Sequence, residues 1–302
     1  MRILITGATG FIGGALCASL AARGQTLWAL TRDPVTARQR APMLERAFAW
    51  RPTIAAPPRE SLEGVDAIVH LAGRTIAGRW NARMQRAIRE SRVTGTANLV
   101  AGLRSAAARP RALICASATG YYGDRGEETL AEEAGPGRGF LADLCRDWEA
   151  EAARSRELGL RVVHLRLGLV LGPRGGALGP MLPLYRLGLG GRLGSGRQWW
   201  PWISLEDGIG LIVHALESDI DGPLNAVAPE PVRQRDFARA LGRALQRPAS
   251  LPAPGWALKL ALGGFGRELL SSQRAVPHAA LARGFCYRHS DLASLLTEIL
   301  AR

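Results

Sequence analysis

The sequence predicts an α/β fold with a doubly wound parallel sheet and a smaller substrate lobe toward the C-terminus. Short apolar runs alternate with helical patterns through the first half of the chain, and this alternation is typical of parallel sheets. The first apolar run, residues 3–5, leads directly into a glycine turn and then a helical pattern. After Gly172 and Pro173 the chain becomes dense in glycine and tryptophan, which indicates a pocket wall or lid.

The glycine turn is the most informative stretch. Gly7, Gly10 and Gly13 are spaced G-x-x-G-x-x-G between the first strand and a helix that begins at Phe11 and closes at Gly24. In such a motif the first glycine allows a tight turn, the second lets the backbone approach a pyrophosphate, and the third lets the helix pack on the strand. The free N–H groups of Phe11 and Ile12 would bind the phosphates. The motif therefore predicts a dinucleotide site, the alternative being an ordinary βα turn.

The remaining pattern extends the same plan. Strands are predicted at residues 26–31, 47–50, 66–73, 111–116, 161–167 and 224–227, and helices at 81–108, 140–158, 207–217, 234–245 and 290–300, with an amphipathic piece around 181–187. Residues 1–167 are predicted to form the dinucleotide-binding domain, to which the chain returns at about residues 204–228. Residues 168–302 then form the smaller C-terminal lobe.

Composition limits the partners. The formal charge of +13 comes almost entirely from arginine, since Lys259 is the only lysine. The arginines are scattered, without a basic run or interleaved aromatics, so we expect no nucleic-acid partner, although charge alone leaves one open. There is no apolar run of membrane-spanning length and no signal peptide, so neither membrane insertion nor secretion is expected. The four cysteines are far apart in apolar surroundings and are expected to be reduced core residues of a cytoplasmic protein.

The end of the second predicted strand bears on which dinucleotide binds. About twenty residues past the glycines, an acidic residue would hold an adenosine ribose and an arginine would accept its 2′-phosphate. Arg32 lies at this position, and a guanidinium is matched to phosphate oxygens, so NADP is favoured over NAD. The neighbouring Asp33 keeps NAD open, and a solvated loop arginine is the structural alternative.

Polar residues follow the fifth strand, where a nicotinamide ring would lie. Ser117 could hydrogen-bond a substrate carbonyl, and Tyr121 or Tyr122 could donate a proton if Arg74 or Arg79 lowered its pKa. Packing at the strand end explains Tyr122 equally well. His70 lies within a predicted strand and is expected to be a core residue rather than a catalytic one. The tryptophans of residues 199–202 are expected to line a pocket.

Several segments together resemble an extended short-chain dehydrogenase/reductase: TGATGFIG at 6–13, HLAG at 70–73, SATGYYG at 117–123, RLGLVLGP at 166–173 and ISLED at 203–207. Others resemble more narrowly the YfcH-type epimerase family, an atypical branch of the NAD(P)-dependent epimerase/dehydratases. These are RWN at 79–81, SRV at 91–93, the glycine run at 184–196, QWWPWISLED at 198–207, LNAVAP at 224–229, and the tail from Trp256 through SSQ at 271–273 to GF at 284–285.

The resemblance covers essentially the whole chain. It implies a Rossmann-type domain with a small C-terminal lobe, NADP as the cofactor, and a small-molecule substrate that is not identified. The cofactor residues it implies are Gly7, Thr9, Gly10, Phe11, Ile12, Gly13, Thr31, Arg32, Leu71, Ala72, Gly73 and Arg92. Many relatives carry an acidic residue after the Leu-Ala-Gly segment, where this chain has Arg74, and that departure could alter the charge at the nicotinamide end.

The usual catalytic pair of the superfamily is absent. Ordinary members use a Tyr-x-x-x-Lys pair on the helix after the fifth strand, where the lysine lowers the pKa of the tyrosine. Here Leu141 and Cys145 fall at about those positions, and no lysine precedes Lys259. Two hypotheses follow: an NADP-dependent oxidoreductase or epimerase-like enzyme that uses Ser117 with Tyr121 or Tyr122, or a non-catalytic protein that senses NADP(H).

Overall fold

The strands and helices form where the apolar periodicity places them. The computed structural model describes residues 1–173 and 175–301. The strands are β1 (Arg2–Thr6), β2 (Thr26–Thr31), β3 (Leu44–Ala49), β4 (Ala67–His70), β5 (Ala112–Ala118), β6 (Thr129–Leu130), β7 (Arg161–Leu167), β8 (Leu169–Leu171), β9 (Trp199–Trp200), β10 (Trp202–Ser204), β11 (Gly222–Ala226), β12 (Val232–Arg233) and β13 (Arg274–Ala275). The α-helices are α1 (Phe11–Ala22), α2 (Pro34–Arg40), α3 (Ala82–Arg104), α4 (Phe140–Ala153), α5 (Leu182–Arg186), α6 (Leu205–Glu217), α7 (Gln234–Ala244), α8 (Gly255–Leu262), α9 (Gly264–Glu268), α10 (His278–Ala282) and α11 (Leu292–Leu300).

The central sheet is parallel, and its order creates a crevice next to β1. In the described part of the chain, seven strands pair in the order β11-β7-β5-β4-β1-β2-β3. The chain builds outward from β1 through β2 to β3 and then crosses back to β4, which pairs with β1 on its other side. Ligands of doubly wound sheets bind at the carboxyl ends of the strands where the order reverses. The predicted Rossmann-type sheet is therefore confirmed, and the glycine turn after β1 lies at its switch point.

Helices cover both faces of this sheet because neighbouring residues of each strand point to opposite sides. On one face, Ile5 packs in an apolar cluster with Leu16 of α1 and Leu211 of α6. On the other face, Leu4 belongs to a cluster with Leu99 of α3 and with Trp148. The two clusters fix the strand ends, and therefore the crevice, from both sides.

The chain returns to the sheet late, in the region where the sequence predicts it. β11 pairs in parallel with β7, with Leu224 opposite Leu165, and α6 packs on the same face as α1. Two of the three tryptophans in the preceding segment lie in the core. Trp200 and Trp202 are 6% and 1% exposed and belong to an apolar core with Phe237. Trp199 is half-buried, with the guanidinium of Arg233 4.2 Å from its ring centroid.

The sequence pattern missed four helices, α2, α8, α9 and α10, and misplaced one cysteine. α2 is a short helix whose positions carry too few apolar residues for a periodic signal, and α8 has no buried residue among its eight. Cys286 is exposed, whereas the other three cysteines are buried as expected. Among the described residues, no helix combines the length and the apolar character required to cross a membrane.

Candidate functional site

The glycine turn after β1 forms a cradle that leaves no room for a side chain at Gly7 or Gly13. Gly7 has φ +74°, a conformation that glycine adopts without steric cost, and its carbonyl accepts the N–H of Gly10 at 2.9 Å. A Cβ on Gly13 would lie 2.1 Å from the Gly7 carbonyl oxygen. The helix therefore approaches the turn more closely than alanine would allow, as the spacing of the glycines predicts.

The first turn of α1 offers unpaired backbone donors toward the crevice. The N-cap residue is Gly10, and no side chain caps the helix. The first N–H groups of a helix have no intrahelical acceptor, and the helix dipole makes this end attractive to anions. Thr9 and Gly10 are exposed, and Phe11 and Ile12 are half-buried. The ring of Phe11 packs against a glycine segment, since a Cβ on Gly176 would lie 2.5 Å from that ring.

The segment after β4 passes directly beside the cradle. A Cβ on Gly7 would lie 3.0 Å from the carbonyl carbon of Leu71, and the N–H of Ala72 donates to the Thr6 hydroxyl at 3.0 Å. His70 lies beneath this segment, fully buried, with its Nδ1 2.8 Å from the Thr6 hydroxyl. Burial lowers the pKa of His70 to about 4. His70 is thus a neutral core residue that holds the strand ends, as expected.

Gly73 lies against a guanidinium. A Cβ on Gly73 would lie 3.2 Å from Cζ of Arg92, so a side chain at this position would require the guanidinium to shift slightly. Arg92 comes from α3 and donates to the Arg74 carbonyl oxygen at 3.0 Å, and its guanidinium lies 5.2 Å from the ring centroid of Trp148. Burial lowers the pKa of Arg92. The side chain of Arg74 itself is exposed and contacts Met84.

Arg32 and Asp33, the two charged residues directly after β2, have different hydrogen-bond and ion-pair partners. Asp33 caps α2: one carboxylate oxygen accepts the N–H groups of Val35 and Thr36 at 3.1 Å each, and the other accepts the Thr36 hydroxyl at 2.6 Å. The pKa of Asp33 is lowered mainly by the hydrogen bond from the Thr36 hydroxyl and secondly by the hydrogen bond from the Thr36 backbone N–H. Arg32 is exposed, and its guanidinium has no ion-pair partner within the described residues. Arg32 is therefore available to an anion, and Asp33 is engaged by its own helix.

Gly13→Ala is expected to abolish dinucleotide binding, because the new methyl group would collide with the Gly7 carbonyl and force α1 away from the turn. The matched control is Gly14→Ala on the same helix, whose Cβ would lie 3.7 Å from the Ala8 carbonyl oxygen, an ordinary contact. Titration of both variants with NADPH, monitored by nucleotide fluorescence, measures the effect. Retention of wild-type affinity in Gly13→Ala would contradict the assignment of this turn as the cradle.

Two of the three predicted catalytic residues lie within a buried polar network. Ser117 is 3% exposed and donates to Glu149 at 2.6 Å, and Arg166 donates to both oxygens of that carboxylate at 2.9 Å each. Tyr122 is fully buried; it accepts from Arg166 at 2.9 Å and donates to the Asn225 side chain at 2.8 Å. Burial raises the pKa of Tyr122 to about 12. Both hydroxyls are thus engaged by partners inside the protein.

Tyr121 is the third of the predicted catalytic residues. It is half-buried, and the guanidinium of Arg166 lies 3.6 Å from its ring centroid. A Cβ on the preceding Gly120 would lie 3.0 Å from the side chain of Leu141, which occupies the position of the absent catalytic tyrosine. Cys145, at the position of the absent lysine, is 1% exposed, and burial raises its pKa to about 12. A thiol so protected is no nucleophile at neutral pH.

A carboxylate that the sequence analysis missed lies next to Leu141. Glu268, at the end of α9, has its carboxylate beside the Leu141 backbone N–H. Burial raises the pKa of Glu268 to about 7, and the Leu141 N–H opposes that rise. More than a hundred residues separate α9 from α4 in the sequence, so no local pattern brings the two together. An acid that titrates near neutral pH is suited to general acid–base catalysis.

These features define a Rossmann-type dinucleotide-binding fold that lacks the Tyr-x-x-x-Lys pair of ordinary short-chain dehydrogenases. Residues 3–226 match the NAD dependent epimerase/dehydratase family, and residues 253–299 match a domain of unknown function, DUF1731. The chain belongs to the NAD dependent epimerase/dehydratase family. The predicted resemblance to an atypical extended short-chain dehydrogenase/reductase is confirmed.

Relatives match along the whole chain. An epimerase family protein of Mycobacterium tuberculosis, MT2273, is 40% identical over 297 residues, which covers 97% of this chain and 96% of the relative. The Bacillus subtilis epimerase family protein YfhF is 35% identical over 303 residues, with 100% and 98% covered. The crystal structure of human epimerase family protein SDR39U1 (isoform 2), determined with NADPH, superposes with a TM-score of 0.89 at 35% identity, and all of both chains is covered.

Proposed function

We propose that the protein binds NADP(H) and acts as an oxidoreductase or epimerase-like enzyme on a small polar substrate. The observation that carries this proposal is the cradle of Gly7 and Gly13 at an uncapped helix N-terminus, with the unpaired Arg32 one strand away. The NADPH in the structure of human SDR39U1 supports the same cofactor.

The residues at the crevice fit this cofactor. The backbone of α1 at Phe11 and Ile12 would hold the pyrophosphate, and Arg32 would hold the 2′-phosphate of the adenosine. The segment around Ala72 would line the site beside Gly7, and Arg92 would support it through Gly73. When bound, the nicotinamide supplies a hydride acceptor or donor.

Proton transfer is assigned to Glu268, with Tyr121 as a hydrogen-bond donor to the substrate. Leu141 lies near both: its backbone N–H is beside the Glu268 carboxylate, and its side chain packs against Gly120, which precedes Tyr121. As a carboxylate, Glu268 would take the proton of a substrate hydroxyl during oxidation, and as a carboxylic acid it would return that proton during reduction. The buried Arg166 stacks on the Tyr121 ring and holds its position.

The pH dependence of turnover tests this assignment. We expect the oxidation rate to rise through pH 7 and the reduction rate to fall above it, because the two directions need the two protonation states of Glu268. Glu268→Gln should lower turnover about 100- to 10,000-fold and remove this step in the pH profile. The measurement is NADPH oxidation and NADP reduction across a panel of carbonyl compounds and sugar nucleotides.

Glu63→Gln, at an exposed carboxylate before the amino end of β4, is the matched control and should turn over like the wild type. A Glu268→Gln variant with an unchanged pH profile would refute the role of Glu268. Tyr121→Phe is expected to raise KM more than it lowers kcat, since it removes a substrate hydrogen bond and leaves the proton acceptor in place.

A second candidate is a non-catalytic protein that senses NADP(H). The observation that favours it is the engagement of the Ser117 and Tyr122 hydroxyls by buried partners, together with Leu141 and Cys145 at the usual catalytic positions. NADPH binding without turnover across the whole panel would support this candidate over the enzyme.

A further inference from the structure

A second concave site lies in the C-terminal part of the chain, apart from the glycine cradle. Its cavity has a volume of about 890 Å³ and is bordered by α7, by residues 192–197 and by residues 246–252. Six arginines line it: Arg192, Arg197, Arg235, Arg239, Arg243 and Arg247. None of these residues takes part in the crevice described above.

Half of the arginines come from one face of α7. Arg235, Arg239 and Arg243 are spaced four apart, which places them in a row along a helix, and all three are exposed. The opposite face of α7 is buried through Phe237 and Leu241. Core packing therefore fixes the orientation of the helix and directs its arginine row into the cavity.

Two glycines bring the other arginines to this row. A Cβ on Gly196, which has φ +68°, would lie 2.8 Å from Cβ of Arg235 and 3.2 Å from Cβ of Arg192. A Cβ on Gly242 would lie 2.6 Å from Cβ of Ala249, in the turn that carries Arg247. Both loops thus approach α7 at a distance that a side chain would prevent, and they close the cavity with further positive charge.

The turn beside Arg247 is the C-terminal cap of α7. Gln246, which lines the cavity, has φ +53° and is the non-glycine residue with positive φ in the described chain. Its N–H donates to the Arg243 carbonyl oxygen, and the N–H of Arg247 donates to the Gly242 carbonyl oxygen, at 2.9 Å each, which is a common way for a helix to end. These two hydrogen bonds fix the turn that carries Arg247 at the border of the cavity.

Little negative charge offsets the arginines. Asp236 lies 3.7 Å from Arg235 and 3.5 Å from Arg239. Within residues 1–173 and 175–301, no carboxylate forms an ion pair with the guanidinium groups of Arg192, Arg197, Arg243 or Arg247. Crowded like charges destabilise a fold unless an anion neutralises them, and a concave surface concentrates their field.

We propose that this cavity binds a soluble small molecule that carries two or more phosphate groups. Guanidinium groups bind phosphate oxygens in a planar, bidentate manner. Six of them offer enough hydrogen-bond donors and positive charge to bind more than one phosphate group. The volume lies in the range of small-ligand sites. The cavity lining contains no aromatic side chain on which nucleic-acid bases could stack, so a compact polyphosphate is favoured over a single strand.

The test is calorimetric titration of the full chain with inorganic tripolyphosphate. The double variant Arg239→Gln with Arg243→Gln should weaken binding at least about tenfold, since it removes two charge-assisted partners. The control double variant, Arg23→Gln with Arg59→Gln, removes the same charge from exposed positions elsewhere and should bind within about twofold of the wild type. NADPH titration of both variants verifies that each is folded, and its result does not depend on this cavity.

Three outcomes would overturn the proposal. The first is that the wild type does not bind tripolyphosphate at low ionic strength. The second is that both double variants lose affinity equally, which would mean that net charge and not the cavity determines binding. The third is that a DNA oligonucleotide displaces tripolyphosphate at a lower concentration of phosphate groups than tripolyphosphate itself provides, which would make this surface a nucleic-acid site.

Discussion

Arg32→Ala is expected to weaken NADPH binding about 10- to 100-fold and to change NADH binding by less than about twofold. The two nucleotides differ in the 2′-phosphate, and Arg32 is the exposed guanidinium at the end of β2 where that phosphate would lie. Fluorescence titration with each nucleotide measures the ratio of the two affinities. That ratio, not either affinity alone, reports the contribution of the 2′-phosphate.

The control for Arg32 is Arg23→Ala. Arg23 is also exposed, and it lies between α1 and the amino end of β2, whereas Arg32 follows the carboxyl end of β2. The control variant should leave both affinities unchanged. Equal losses for NADPH and NADH in Arg32→Ala would assign the arginine to general charge and reopen a preference for NAD. Asp33 is a poor ribose ligand in that case too, because both its oxygens already accept hydrogen bonds from residues of α2.

Glu149→Ala is expected to lower the free energy of unfolding by about 3–5 kcal/mol. The carboxylate is buried and accepts two hydrogen bonds from Arg166, so its removal leaves an arginine that is 3% exposed without a counter-charge. Ser117 also loses its acceptor. Urea unfolding at neutral pH measures the change.

The matched control is Glu151→Ala on the same helix, whose carboxylate forms an ion pair with Arg154 at 3.1 Å near the surface. The Arg154 side chain is 57% and the Glu151 side chain 20% exposed, and a solvent-accessible pair contributes about 0–1 kcal/mol. If the two alanine variants lost similar stability, the buried network would not be the element that holds the end of β5. Glu149→Gln separates charge from hydrogen bonding, because glutamine retains an acceptor for Ser117 but not the negative charge.

Much of the Rossmann-type part could be predicted because its signals are local. Alternation of apolar runs with helical patterns reflects burial on both faces of a parallel sheet, and every predicted strand of that sheet is present. The helix predicted at residues 81–108 is α3, which begins after its Asn81 cap and ends at Arg104. The observed ends of helices and strands differ from the predicted ends by a few residues where a cap or a crossing segment ends the element. For example, β4 ends before Leu71, whose backbone passes beside Gly7.

The catalytic centre could be predicted less well because residue type does not reveal which way a side chain points. Ser117 and Tyr122 follow the strand where a substrate would lie, yet their hydroxyls point to Glu149 and Asn225 in the interior. The partners of these bonds come from α4 and β11, far along the chain. Glu268 gave no signal at all, since its raised pKa arises from burial in the folded chain.

The sequence by itself determined the glycine cradle, the parallel sheet, the placement of Arg32 and the absence of a Tyr-x-x-x-Lys pair, because each depends on neighbouring residues or on residue identity alone. Only the tertiary structure decided which hydroxyls are buried, placed Glu268 beside Leu141 and gathered six arginines around one cavity. Those arrangements join segments that are distant along the chain. Their chemistry depends on burial and on the proximity of charges, which packing creates.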